Sequence, residues 1–321
     1  MKIFIFEYLA CGGLSDGVVS AKLAMEGRAM LSAAMKSFNE TAGCQPFTIH
    51  AGPDGFWVGG EPQNGFRQAF ETALDMCEAA LIIAPETGGI LEELTLVVLE
   101  RGKLNLGCAP SAIRLAGDKR LFAETLTKSG IKHPVTCIAG GSFDSSAHFD
   151  GKWVIKPADG AGSDGIKLFL NPRRINLEPG GKYVAQEFIE GKPMSVSVVS
   201  GDKEFAILSA NRQFLDDGLH YAGGEILDGP PDSDVVEMVS AISQVIPGLK
   251  GYWGVDYVMT PEGPVVIEVN PRLTTSFTAL AGHLEPEPAR FIMASALGGP
   301  LPRIQKRVNA RFTTSGEVTA G

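Results

Sequence analysis

The chain has 321 residues and a formal net charge of −9, a length that suits two or three closely associated units and a balance that argues against nucleic acid and anionic membranes, both of which reward a basic face. Cys11, Cys44, Cys77, Cys108 and Cys137 are scattered, odd in number and never in a CxxC spacing. That pattern points away from a disulfide framework or a zinc site and towards a reducing cytoplasm.

The opening MKIFIFEYLACGG reads as a buried strand over 2–7 ending in a Gly-containing turn. Its apolar run is too short for a signal segment or a membrane span, and no later stretch is long enough to cross a bilayer. Apolar spacing predicts a helix over 21–38 with Leu23, Met30, Leu31 and Met35 on one side. A strand at 79–84 leads to Pro85 and Glu86, then to a helix at 91–101 and a strand at 104–108. Strands alternating with helices imply an open, mainly parallel sheet. Functional residues in such sheets gather beyond the carboxyl ends of strands, which singles out Glu7, Gly12, Gly13 and Glu86.

Next comes one predicted helix over 111–128, with Gly130 as its C-cap. A strand at 153–156, a Gly-rich turn and a strand at 166–170 form a hairpin. Strands at 182–189 and 194–200 flank a Gly-Lys-Pro turn, and 204–211 is another strand. A helix over 235–246 precedes strands at 257–259 and 265–269, joined by the turn TPEG. The last helix spans 288–297, and the polar tail from 305 is expected to be loosely ordered. The second half is therefore largely antiparallel with flanking helices and not a second parallel nucleotide domain.

Four segments carry chemistry. WVIKPADGAGSDGI (153–166) places Lys156 at the end of an apolar strand, just before a turn containing Gly160, Gly162, Ser163 and Gly165. An ammonium beside backbone N–H groups freed by glycine suits a triphosphate. The stretch is not a Walker loop, and it also reads as a plain hairpin with an incidental lysine. Asp256 and IEVNPR (267–272) form the second segment: Glu268 and Asn270 share one strand face, Asp256 lies on the preceding strand, and the three can converge as oxygen ligands for magnesium. Arg272 follows, where its fork could hold a carboxylate or an oxyanion. An exposed polar sheet edge is the bland alternative. AQEFIEG (185–191) could offer backbone groups to an adenine edge or be an ordinary strand and turn, and the lysine of Gly117-Asp118-Lys119 could be simply solvated.

In this order, over 104–280, these segments resemble the ATP-grasp superfamily. The resemblance implies an α/β pre-ATP-grasp domain (1–107) followed by an α+β ATP-grasp fold whose two subdomains (108–188 and 189–305) clasp ATP, then a tail (306–321). It assigns Lys119 and Lys156 to ATP phosphates and the Gly160–Gly165 loop, Ser163 included, to closure over them. Backbone groups of Glu187 and Ile189, with Gln186 nearby, would read adenine. Asp256, Glu268 and Asn270 would carry magnesium or manganese, and Arg272 and Lys156 would act in catalysis. Many relatives hold the ribose with a glutamate just after the hinge glycine; Gly191-Lys192-Pro193-Met194-Ser195 has none, which leaves the ribose contact unassigned.

Phe6-Glu7-Tyr8 with Gly12-Gly13, Met25-Glu26-Gly27, Ala84-Pro85-Glu86-Thr87, Asn211-Arg212-Gln213 and Tyr221-Ala222-Gly223-Gly224 resemble the tyramine–glutamate ligase group of methanofuran and methylofuran biosynthesis. That implies small-molecule partners, glutamate as the activated acid and tyramine or tyrosine as the amine. Glu7, Glu26, Arg28, Glu86 and Arg212 are the candidates for acceptor contact, and a homodimer is an expectation by fold analogy. Competing readings are another amino-acid ligase, a carboxylase-type member without a biotin module, and a nucleotide-binding regulatory protein without turnover. A dinucleotide oxidoreductase ranks last for want of a full GxGxxG. His50, His133, His148, His220 and His283 are dispersed and expected to be structural or solvated.

Overall fold

The computed structural model describes residues 1–13, 21–49, 66–138, 151–159, 165–170, 182–216 and 218–320. Strands β1 (Lys2–Glu7), β2 (Gln45–Phe47), β3 (Ala79–Ile83) and β4 (Leu104–Asn105) form a parallel sheet in the order β2-β1-β3-β4. Ile3, Phe4, Ile5 and Phe6 are wholly buried, as a parallel strand covered on both faces must be. Helices α1 (Ala21–Asn39), α2 (Phe66–Met76) and α3 (Ile90–Glu100) flank this sheet. The buried stripe of α1 runs through Gly27, Met30, Leu31, Ala34 and Phe38; Leu23 is exposed, so the stripe starts a turn later than expected.

The helix expected over 111–128 is two helices, α4 (Pro110–Gly117) and α5 (Lys119–Lys128). Asp118 breaks them with extended backbone (φ −93°, ψ 104°) and caps α5, its carboxylate accepting from the N–H groups of Arg120 and Leu121. A short acidic side chain competes with the helix for its own backbone donors, which is why it settles at a cap. The break turns the chain so that the Lys119 N–H donates to Ala158 O at 2.9 Å, just past the lysine-bearing strand. Beyond α5, the Ile131 N–H closes on Leu126 O at 3.0 Å, with Gly130 at φ +68°.

A small antiparallel sheet follows: β5 (Thr136–Ile138), β6 (Trp153–Pro157), β7 (Lys167–Phe169) and β8 (Tyr183–Glu187), ordered β5-β8-β6-β7. Trp153, Ile155 and Ala185 form its own apolar core. The large sheet contains β9 (Lys192–Ser200), β10 (Phe205–Leu215), β11 (Tyr221–Ile226), β12 (Gly251–Thr260), β13 (Gly263–Asn270), β14 (Ala310–Thr313) and β15 (Val318–Ala320), ordered β13-β12-β9-β10-β11-β14-β15. Helices α6 (Ser233–Val245), α7 (Phe277–Leu280) and α8 (Pro288–Ala296) pack against it. The chain crosses from the small sheet to the large one after β8, and Lys192 and Pro193 belong to β9 rather than to a turn before it. The tail also departs from expectation. β14 pairs with β11 and buries Ala310 and Phe312, so part of this largely polar stretch extends the sheet; two alternating apolar side chains suffice when a strand edge awaits them.

The cap makes a local prediction. Asp118→Ala should weaken the start of α5 by about 1 kcal/mol. It should therefore speed amide hydrogen exchange at Arg120 and Leu121 while leaving the middle of β12 protected. Unchanged exchange there would show that the break does not depend on the aspartate.

Candidate active site

The cleft lies between the small and large sheets, and its cavity measures about 290 Å³. Alternation along β6 sets one wall: Trp153 and Ile155 turn into the small core, while Val154 and Lys156 line the cleft. Lys156 is only 6 % exposed. Burial pulls its ammonium down to about 8; the Glu268 and Asp256 charges oppose this and Lys119 adds to it. Lys119, placed by the Asp118 break, is also buried and lines the same space. Gly160, Gly162 and Ser163 lie outside the described residues. Gly165 is described: φ is +77°, and a Cβ there would come within 3.1 Å of Pro157 Cγ, so glycine is required where the loop returns to β7.

The opposite wall is the β12–β13 ladder. Asp256 stands directly across from Glu268, and Asn270 is two residues on along the same face. Facing carboxylates repel, and burial followed by the Glu268 charge pushes the Asp256 carboxyl well above the usual range. Two amides steady it: Asn270 Nδ2 donates to Oδ2 at 3.1 Å and Gln213 Nε2, from β10, donates to Oδ1 at 2.8 Å. Each carboxylate oxygen keeps a second lone pair, and Asn270 keeps its amide oxygen free of Asp256. Among the described residues no group of three or more His, Cys, Asp or Glu gathers as a metal cluster. Two carboxylates and one amide oxygen across the cleft from two buried lysines are instead a donor set that suits magnesium, which takes few protein ligands and completes its shell with phosphate and water.

At the hinge, Gln186 is buried and its amide donates to Thr136 Oγ1 at 2.9 Å, so its side chain is structural on that side. The Glu187 N–H is held by Val135 O at 3.0 Å and the Phe188 N–H by Lys152 O at 2.9 Å. Ile189, which also lines the cleft, makes no hydrogen bond through its N–H among the described residues. An open backbone donor at an apolar wall of Val154, Phe188 and Val258 is what the edge of a purine requires.

Arg272 emerges just beyond β13. Its Nε lies 3.0 Å from Glu86 Oε1, both side chains being largely enclosed, yet neither atom completes a directed hydrogen bond. The contact is an ion pair off the N–H axis, and Nη1 donates to Leu273 O at 3.2 Å, so part of the guanidinium is already held by the main chain. Glu26, on α1, also lines the cleft and accepts from the Thr275 hydroxyl. Glu7 is buried behind it, so close to α1 that a Cβ on Gly27 would fall 2.5 Å from Glu7 Oε2. Burial raises the Glu7 carboxyl above its usual range, partly offset by the Ala10 and Leu9 N–H groups and by Arg272.

Not every expected contact gathers here. Glu7 and Glu86 stand behind the cleft wall rather than on it. Arg28 is exposed on α1 and outside the lining, and Arg212 is half-exposed and paired loosely with Glu225 at 3.9 Å. Sequence reasoning passed over Gln213, Ser195, Tyr221 and Thr275, all of which line the cleft. Gln213 and Tyr221 lay in noted motifs. Their roles depend on β10 and β11 lying on the far side of β9 from β12, which local spacing does not reveal.

Residues 116–276 match the family model of the ATP-grasp domain, and residues 56–113 match that of the pre ATP-grasp 3 domain. A tyramine–L-glutamate ligase from Methanocaldococcus fervens is 36% identical over 68% of this chain and 65% of its own length. A tyramine–L-glutamate ligase from Methanocaldococcus jannaschii is 30% identical over 87% of this chain and 84% of its own. The crystal structure of an ATP-grasp superfamily protein from Archaeoglobus fulgidus superposes with a TM-score of 0.72 at 27% identity, covering 98% of this chain and 92% of that one. With a parallel N-terminal sheet, two antiparallel sheets enclosing lysines and carboxylates, and these relatives, the chain belongs to the ATP-grasp family of ATP-dependent carboxylate–amine ligases.

Proposed function

We propose that the chain joins glutamate to tyramine, or to tyrosine, through an acyl phosphate, in the assembly of a methanofuran- or methylofuran-type cofactor. Two relatives named as tyramine–L-glutamate ligases support the substrate pair. The observation that carries the chemistry is the confluence of Lys119, Lys156, Asp256 and Glu268 in one cleft, with Arg272 at its end.

Glutamate's carboxylate oxygen attacks the γ-phosphorus of ATP and ADP leaves. Lys156 and Lys119 hold the phosphate oxygens and offset their charge, mostly through position and electrostatics. A magnesium or manganese ion held by Asp256, Glu268 and the Asn270 amide oxygen would supply further charge neutralisation at the phosphates. The Ile189 N–H and the hinge wall orient the base. The amine nitrogen then attacks the acyl carbon, phosphate departs and the nitrogen sheds a proton, leaving the amide. Arg272 is placed to hold the carbonyl oxygen as negative charge builds on it. Exclusion of water from the cleft would protect the acyl phosphate from hydrolysis.

Two measurements test this reading. The chain incubated with ATP, a divalent salt, glutamate and tyramine or tyrosine should release ADP and give a glutamyl amide by mass spectrometry. If another acid–amine pair reacts and these do not, the substrate pair is wrong; nucleotide binding without turnover on any acid would instead indicate a regulatory protein. Glu268→Ala should lower substrate-dependent ADP release at least about 100-fold with the circular dichroism unchanged. A near wild-type rate would contradict the metal assignment.

A further inference from the structure

The tip of the β10–β11 hairpin has a construction that the charged cluster does not require. Leu215, Leu219 and Tyr221 all line the cleft. Among the described residues, Leu219 is the one non-glycine with positive φ, at +64°. Residues bearing a Cβ avoid that region, and it persists only where the surroundings impose it. Here a clasp imposes it. Asp216 Oδ1 accepts the N–H of Gly218 at 2.9 Å and of His220 at 2.8 Å, and the His220 ring lies 3.1 Å from the same oxygen. The main chain closes the loop, with the Leu219 N–H on Asp216 O at 2.9 Å and the Asp216 N–H on His220 O at 3.0 Å. The N–H groups of Asp216, Gly218, Leu219 and His220 are thus all bonded within the tip, and a leucine lines the cleft.

The tip also borders the N-terminal unit. Lys22, at the start of α1, donates to Tyr221 O at 2.8 Å, and one turn on, Glu26 contacts Thr275, three residues after Arg272. Three reactants share this cleft under the ligase reading. The triphosphate and the acid are polar, and the hinge wall already provides for the base. Leu215 remains 37 % exposed; apolar surface left open beside a polar site calls for an apolar body.

We propose that the β10–β11 tip selects the amine by its apolar body, with Leu219 and Leu215 receiving an aryl or long alkyl group and the Asp216 clasp holding Leu219 in place. This rests on the ligase reading above and specifies the class of amine. Asp216 is a positioning residue that acts through Leu219.

The test is ADP release by the full chain with glutamate as the acid and either tyramine or ethylamine as the amine. Leu219→Gly removes the side chain at a φ that glycine adopts freely, so the hairpin should persist. The ratio of kcat/KM for tyramine over ethylamine should fall about tenfold or more, the scale on which apolar pockets discriminate. Asp216→Ala should shift the ratio the same way, and Asp216→Asn, which keeps the accepting oxygen, should restore it. If wild type discriminates and Leu219→Gly discriminates equally, or if the loss appears in KM for ATP instead, the tip does not select the amine. If wild type releases ADP with neither amine while another acid–amine pair reacts, the glutamate–tyramine reading fails first and this assignment falls with it.

Discussion

Asp256 faces Glu268 across an antiparallel ladder, a pairing that strand energetics disfavour. On the other side of the cleft two lysines are buried at once, Lys119 and Lys156. Each pair alone would be costly, since burial penalises a charge without a partner. Set across one cavity, the lysines and carboxylates pull on each other, which is why the charges of Glu268 and Asp256 work against the burial that lowers the Lys156 ammonium. A polyphosphate with a divalent ion between the walls would meet both pairs.

The fold keeps this arrangement from collapsing. The small sheet has its own core of Trp153, Ile155 and Ala185, so β6 can hold Lys156 without leaning on the large sheet. The carboxylates belong to a ladder that continues through β9 to β15, anchored by buried Trp253 and Val255 on the same strand as Asp256. The amide groups of Asn270, on the adjacent β13, and of Gln213, on β10 beyond β9, fix the Asp256 carboxylate from both sides. The N-terminal unit contributes differently: Glu86 meets Arg272, and Glu26 meets Thr275, so the Arg272 end of the cleft is built from both the N-terminal unit and the large sheet.

Much of this was legible in the sequence. A two-residue period placed Glu268 and Asn270 on one face, and the turn at Pro261-Glu262-Gly263 brought Asp256 opposite them. Val-Ile-Lys before glycines gave the lysine strand. What local pattern could not supply was partnership at long range. Asp118 looked like one residue in a continuous helix, yet its cap and the Ala158 contact break that helix and set Lys119 in the cleft. Gly191-Lys192-Pro193 looked like a turn between two strands, and Lys192 and Pro193 in fact open β9 in the large sheet, because local pattern does not state where a strand begins. Ala310 and Phe312 lay in a polar tail whose strand forms only because β11 leaves an edge to pair with.

The central claim is that one polyphosphate and one divalent ion occupy the space between the two walls. Crystals of the full chain with a non-hydrolysable ATP analogue and manganese, measured at the manganese absorption edge, test it most directly. An anomalous peak in contact with both Asp256 and Glu268, with Lys119 and Lys156 on the phosphate oxygens, is the expected result. A nucleotide bound elsewhere, or a manganese peak touching neither carboxylate, would contradict it.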